Sequence, residues 1–401
     1  MVTSTPIAPP TVLPAAPGGA CPFDPPSAYR QAGLEGPVTA GELPDGSFCW
    51  LVTGHQEVRT VLSDHRFSAD ARRPGFPFLS PGRRSLAVNS PSFIRMDDPE
   101  HSRLRRMVTK DFLVKRVEAM RPGIKLIVDE AIDRMTEGAG AADLVADFAL
   151  PVPSLVICLL LGVPYEDHEL FQSRSRTLLD TTASQQAVET AMDELLAYLT
   201  GLATDKHRHP GDDILSRLAV REDLSPEETA ATGLLLLVAG HETTANMISL
   251  STLALLRRPE QAARLRADPG LVRGAVEELL RYVTIIQSGL PRLATEDVEL
   301  GGRTVRAGDG LICMLSTANR DESMFEASDE LDVERDARRH LAFGFGVHQC
   351  LGQPLARVEL QIALESLLRR LPDLRVAVPP EELVFRTDTI VYGLASLPVA
   401  W

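Results

Sequence analysis

The sequence predicts a mainly α-helical protein with a small β-rich lobe, and three observations carry that expectation. Four segments, at about 121–137, 151–163, 166–178 and 186–208, space their apolar residues near the helical repeat of 3.6. A long apolar stretch, TAATGLLLLVAGHETTANMISLSTLALLRR at 229–258, follows EDLSPEE, whose acidic residues suit the first turn of a helix. Strand-like patterns are confined to PVTAGELPDGSFCWLVTG at 37–54, to 289–321 and to RTDTIVYGLASLPVAW at 386–401.

The Pro/Ala-rich lead-in, residues 1–20, lacks the basic and apolar regions of a signal peptide and is expected to be disordered. A short helix starts at PPSAYRQAG, the 37–54 stretch forms a hairpin about Pro-Asp-Gly-Ser, and HQEVRTVLSD at 55–64 is helical. Residues 67–99 are rich in Pro, Gly and Ser, and a loop of that length inside a compact protein usually serves function. The next helix is capped by Asp98 with Pro99 at its first position. On it His101 and Arg105, four apart, share one face. No internal repeat is present.

The hydrophobic content of 44% across 401 residues can bury a large core. Cys21, Cys49, Cys158, Cys313 and Cys350 are odd in number and irregularly spaced, which reads as a reducing cytoplasm. The longest apolar run, LVICLLLGV, is far shorter than the about twenty residues of a bilayer span, so no membrane is expected. A net charge of -14 argues against nucleic acid.

The chemistry is concentrated in LAFGFGVHQCLGQPLARVEL, residues 341–360. Gly344 and Gly346 permit a tight turn, and Gly352 leaves room for a flat ligand to approach. A helical pattern begins at Pro354, so Cys350 sits near a helix N-terminus, whose amides and partial positive charge favour a thiolate. Zinc would need further soft ligands nearby, and none is there. Nucleophilic use would need a base, and His348 is close, but Phe343 and Phe345 suit an apolar cofactor better. Axial ligation of haem iron fits best.

FGFGVHQCLG resembles the cysteine signature of the cytochrome P450 monooxygenases, matched at Phe343, Gly344, Gly346, His348, Cys350 and Gly352. The resemblance runs from about residue 20 to the C-terminus. It implies one domain over residues 21–401 with the P450 fold, holding haem b (iron protoporphyrin IX) with Cys350 as the iron ligand. His101, Arg105, Arg292 and His348 match the family's propionate-binding positions, and Ala239, Gly240, Phe343 and Gly352 are expected against the cofactor. Within the long helix, Ala239-Gly240-His241-Glu242-Thr243-Thr244 is similar to the family's acid-alcohol motif. Glu242 and Thr243 would organise proton delivery to dioxygen. Polar residues there cost helix stability. Thr243 can bond the Ala239 carbonyl and Gly240 removes bulk, together favouring a local opening of the helix.

Glu278 and Arg281 in VRGAVEELLRY resemble the ExxR pair, with Arg335 as its third partner. The segments around 170–205 look like the fold's lid helices. Leu235, Val238, Ile285, Ile286, Ile390 and Val391 are expected to line a pocket for a bulky apolar small molecule. FSADARRPGFPFLS looks like the actinomycete P450s that act on polyketides and xenobiotics. Phe345 departs from the family, where many bacterial relatives have His.

With no reductase or ferredoxin segment appended, electrons are expected from NAD(P)H through a separate ferredoxin reductase and ferredoxin, the latter meeting Arg103, Arg106 and Lys110. A cytoplasmic monomer is expected. Two alternatives stand beside this reading. A peroxide-driven haem-thiolate enzyme is disfavoured by retention of Glu242 and Thr243, since peroxide brings its own protons. A haem-thiolate sensor has no use for the Thr243 hydroxyl.

Overall fold

The structure, a computed structural model, describes residues 9–15, 21–80, 84, 87, 92–138 and 140–401. The chain opens with β1 (Thr11–Val12), α1 (Ser27–Glu35), β2 (Val38–Glu42), β3 (Phe48–Val52), α2 (His55–Ser63) and β4 (Phe67–Ser68). It continues through α3 (Glu100–Thr109), α4 (Val114–Thr136), β5 (Ala141–Asp143), α5 (Pro151–Leu161), α6 (His168–Leu179), α7 (Gln185–Arg208), α8 (Ile214–Ala219) and the long α9 (Pro226–Leu256). After α10 (Pro259–Ala267) and α11 (Val272–Val283) come β6 (Leu290–Ala294), β7 (Val298–Leu300), β8 (Arg303–Val305), β9 (Gly310–Cys313) and α12 (Leu315–Ala318). The chain closes with α13 (Gln353–Arg370), β10 (Arg375–Val376), β11 (Phe385–Arg386), β12 (Gly393–Leu394) and β13 (Pro398–Ala400).

The helices share one large core, and the main sheet, ordered β1-β2-β3-β9-β6-β4, flanks it with a second. The expected hairpin pairs Val38 with Val52 and Glu42 with Phe48, turning through Gly46 at a φ of 79°. Ile286 packs against both cores.

Three expectations change. The expected disordered lead-in falls largely outside the described residues, but its middle does not run free. Thr11 and Val12 pair in parallel with Gly41 and Glu42, and Leu13 is buried. One apolar side chain with a place under the sheet is enough to tie down a short edge strand. The helix expected from 121 begins at Val114, with Pro122 inside it. A proline costs an internal helix bond, yet the stripe Val117, Ile124, Val128, Ala131 and Ile132 is buried and offsets that loss. Helix α3 starts at Glu100, with Pro99 flanking it. Asp98 still accepts a bond from the Ser102 amide, at 3.1 Å. Part of the 67–99 loop lies outside the described residues.

Helix α9 is the axis of the helical body and packs against α5, α7, α8, α11 and α13. Its start is secured by a capping box, in which the Ser225 side chain and the Glu228 amide, and the Glu228 side chain and the Ser225 amide, bond reciprocally. A Cβ added at Gly233 would sit 2.8 Å from Leu215 of α8, and one at Gly240 would sit 2.8 Å from Ile157 of α5. Both glycines are therefore places where neighbouring helices come too close for a side chain.

Glu278 and Arg281 lie side by side in α11 with both side chains fully buried. Arg281 donates to the two carboxylate oxygens of Glu278 at 2.7 and 2.8 Å, and to the carbonyls of Asn319, Ser328 and Glu330. Arg335 reaches Glu278 at 3.2 Å. These bonds fasten α11 to the irregular stretch that leads into the Cys350 loop. Removing one partner of such a buried pair costs about 3–5 kcal/mol.

Candidate functional site

The loop before α13 holds Cys350 through backbone geometry. Gly344 and Gly346 adopt φ of 69° and 73°, and the Cys350 amide donates to the Phe343 carbonyl at 2.9 Å. A Cβ at Gly346 would lie 2.9 Å from Ser63 Cα of α2, so the loop is pressed against that helix's end. Cys350 precedes α13 by three residues, and the amides of Gly352 and Gln353 donate toward its sulfur. Burial raises the thiol above its ordinary value, while those amides and the Arg105 and Arg357 cations pull the other way. Cys350 nevertheless has exposed surface, so that surface opens onto interior space. No atom of the described residues would crowd a Cβ at Gly352.

Behind the loop, the Phe343 ring is covered by the Arg357 guanidinium at 4.6 Å and lies 5.7 Å from the His340 ring. Arg357 and His340 both bind Glu277, at 2.7, 2.9 and 3.1 Å, and these hydrogen bonds, with the Arg357 cation, hold that carboxylate down at about 2 against its burial. The sequence reading missed this network. Its one local signal is that Arg357 lies about one turn into the helix that follows Cys350. Phe345 lies under the Arg59 guanidinium at 4.4 Å.

On the other side of the loop four basic groups converge. The His101 and His348 rings are 4.1 Å apart, and Arg105 donates to the Gln349 carbonyl beside them. Burial pushes the His348 imidazole down to about 3, with help from Arg292, His101 and Arg105. Burial likewise lowers Arg292, which donates to the Pro291 carbonyl at 2.8 Å. His101 Nε2 and His348 Nδ1 are buried without a hydrogen-bond partner. Buried imidazole nitrogens left without partners beside two guanidiniums call for an anion with several acceptor oxygens.

On α9, whose other faces are buried, Leu235, Val238, Ala239, Gly240 and Thr243 form an accessible stripe at helical spacing. Thr243 Oγ1 donates to the Ala239 carbonyl at 2.7 Å. The expected local opening is absent, because α9 is unbroken from Pro226 to Leu256 and Gly240 serves the approach of α5. Glu242 is buried and paired with Arg386 at 3.3 Å. Ile286 and Ile390 keep some accessible surface, whereas Ile285 and Val391 are buried in the core. The Tyr392 amide bonds the Ile285 carbonyl at 2.8 Å and so joins the two segments at this point of the core.

Arg106 and Lys110 are exposed. Arg103 is not free for a partner as expected, because it forms an ion pair with Glu228 at the start of α9 and also reaches the Asp223 carbonyl. Its direction around α3, toward α9, is fixed by a contact across 125 positions that spacing alone does not reveal.

The cytochrome P450 family profile matches residues 204–382. Cytochrome P450-SU2 of Streptomyces griseolus is 62% identical over 403 residues, covering all of both chains. The chain belongs to the cytochrome P450 family. It is a P450 monooxygenase of the actinomycete type, and its cofactor is haem. The crystal structure of GfsF superposes with a TM-score of 0.91 at 47% identity, covering 98% of this chain and all of that one. The mycinamicin VIII C21 methyl hydroxylase MycCI from Micromonospora griseorubida, bound to mycinamicin VIII, gives 0.92 at 42% identity, with coverage of 98% and 100%. Among the described residues of this P450, no helix is long and apolar enough to cross a membrane.

The residues present fit haem. The orphaned nitrogens of His101 and His348, with Arg105 and Arg292, suit two propionates. A buried thiol with an open side and two amides at its sulfur suits an iron ligand, since a bound cation relieves the burial penalty on the thiolate.

Proposed function

We propose that Cys350 is the haem ligand of a three-component monooxygenase that hydroxylates or epoxidises a bulky apolar small molecule, such as a macrolide or other polyketide, a statin-like compound, a steroid or a xenobiotic. The observation that carries this reading is the accessible stripe of α9, apolar at Leu235, Val238 and Ala239 and ending at the Thr243 hydroxyl. The similar MycCI, a C21 methyl hydroxylase bound to mycinamicin VIII, supports hydroxylation of a small molecule.

Haem supplies dioxygen activation when bound, and a thiolate ligand favours O–O cleavage. The chain supplies place and protons. Leu235, Val238, Ile286 and Ile390 offer apolar surface that excludes water and orients the substrate. Thr243 donates its own proton to the Ala239 carbonyl, so its oxygen lone pairs remain free to hold a water or accept a proton in transit. Glu242, one residue earlier and buried, is the acid that replenishes that proton. His101, Arg105, Arg292 and His348 hold the propionates. Electrons come from NAD(P)H through ferredoxin reductase and a ferredoxin that meets Arg106 and Lys110, whose exposed cations steer an acidic partner.

Titration of the haem-loaded protein with a panel of macrolides, statins, steroids and terpenoids, read as displacement of water from the iron, identifies the substrate class. With the tightest-binding member, Thr243→Ala should retain affinity and NAD(P)H consumption while product per NAD(P)H falls and hydrogen peroxide rises. Unchanged product yield in Thr243→Ala would exclude the proposed role of that hydroxyl. A peroxide-driven enzyme would lose little product in this variant when fed peroxide.

A further inference from the structure

Glu242 has one oxygen 3.3 Å from Arg386 Nη1, while its other oxygen, Oε1, is buried with no hydrogen bond. The contact differs from the other buried carboxylate pairs nearby. Glu278 is gripped by both arms of Arg281 at 2.7 and 2.8 Å, and Glu277 by Arg357 at 2.7 and 2.9 Å. Paired arms make strong, directional contacts, whereas a single longer one is easily released. The other groups near Glu242 are the adjacent His241, which feels its charge, and Arg176 of α6, which acts on His241. The side chain of Asn246, one turn along α9, lies against Gly393.

Arg386 belongs to the hairpin of β11 and β12, in which it pairs with Gly393. Toward its tip that hairpin is bonded to the end of α6. The Thr181 amide donates to the Asp388 carbonyl at 2.8 Å, the Ile390 amide to the Leu179 carbonyl at 3.1 Å, and the Thr389 hydroxyl to the same carbonyl at 3.2 Å. One hairpin therefore touches the end of α6, which resembles a lid helix, carries Ile390 of the proposed pocket, and supplies the cation beside the acid.

We propose that Arg386 is a positioning residue for proton delivery, holding the Glu242 side chain through a releasable contact whose geometry follows the seating of α6. This rests on the reading of Glu242 as the acid. The physical ground is that a buried carboxylate with one unpaired oxygen depends on its cation to remain charged. Movement of α6 shifts the hairpin, and a shift of a few tenths of an ångström at 3.3 Å suffices to make or break the contact.

The test uses haem-loaded Arg386→Gln, Arg386→Lys, Glu242→Gln and the Glu242→Gln/Arg386→Gln double variant. Infrared spectra of the resting protein at neutral pH report the carbonyl stretch of a protonated carboxylic acid. The second readout is hydrogen peroxide released per NAD(P)H without substrate, with electrons from a plant-type ferredoxin and its reductase. In Arg386→Gln the carboxylic acid absorption should gain intensity over wild type, to which the buried Glu359 already contributes; that gain should be missing from the double variant and be accompanied by a several-fold rise in peroxide. Arg386→Lys should return both toward wild type. No gain in the band in Arg386→Gln, or an Arg386→Lys protein indistinguishable from Arg386→Gln in both readouts, would overturn the proposal. Wild-type peroxide yield in Glu242→Gln would instead overturn the acid assignment beneath it, so the two failures are read from different variants.

Discussion

Substituting alanine for either of two glycines around Cys350 should damage the protein in opposite ways. Gly346 has a φ of 73°, a region that costs an L-residue about 1–2 kcal/mol. Its new Cβ would overlap the Leu62 carbonyl and lie 2.9 Å from Ser63 Cα and 3.0 Å from the Leu62 carbonyl carbon, all backbone atoms that cannot rotate aside. The loop or the end of α2 must then move, and such overpacking adds about 1–3 kcal/mol, for a total of about 2–5 kcal/mol in Gly346→Ala. Gly352 has an ordinary φ of -78° and nothing within 4 Å of its Cβ position among the described residues. Gly352→Ala should therefore leave the haem-free fold intact and weaken haem binding, because the methyl group projects into the space left for a flat ligand. Urea unfolding of the haem-free proteins measures the first effect, and haem transfer to apomyoglobin the second. Equal stability of Gly346→Ala and wild type would refute the claim that contact with α2 fixes the loop. Wild-type haem retention in Gly352→Ala would refute the close approach.

Other outcomes follow from the same geometry. Cys350→Ser should lose the thiolate-type red-shifted carbon monoxide spectrum of the reduced protein, and survival of that spectrum would place the ligand elsewhere. Arg106→Glu, better placed than any change at the paired Arg103, should slow reduction by an acidic ferredoxin. The wild-type rate should itself drop as salt screens charges beyond about 10 Å at 0.1 M, and a salt-independent rate would contradict steering. Burial raises Glu359 to about 8 from 4.5, so between those values the folded protein keeps a proton that the unfolded chain releases. The stability it contributes is complete below 4.5 and falls as pH rises toward 8, by at most about 1.4 kcal/mol per pH unit. Glu359→Gln should match wild type in Tm at acidic pH and gain on it toward pH 8, and an offset that does not change with pH would exclude this account.

What the sequence made legible was local. The Thr243 bond to Ala239 and the Glu278–Arg281 pair lie at helical spacings of four and three, and the glycines around Cys350 sit in one short loop. Contacts between distant segments were legible only where the family resemblance supplied them, as for Arg335 and Glu278. Arg386 meets Glu242 across 144 positions, Arg103 meets Glu228 across 125, and Arg357 meets Glu277 across 80. Each depends on how helices dock, which no spacing rule encodes. The same limit explains Ile285 and Val391. Their apolar character suits a core and a pocket equally, and only their burial in the folded protein decides between them. The start of α4 at Val114 shows the complementary case, where packing along the helix carries it past a proline at 122.

Ile286 joins the helical core to the core beneath the sheet while also belonging to the proposed pocket wall. A residue with both duties is a poor place for a lineage, or an engineer, to explore new substrates, because each change of shape is felt in two hydrophobic interiors at once. Ile390 carries no such second duty. It sits near the tip of a two-stranded hairpin, packs against the helical core alone and remains partly accessible, so a change in its size is felt in one interior and not in two. Diversification of this enzyme's substrate range should therefore accumulate at 390 well before 286, and a library randomised at both positions should return its folded, altered-specificity members mostly from the hairpin.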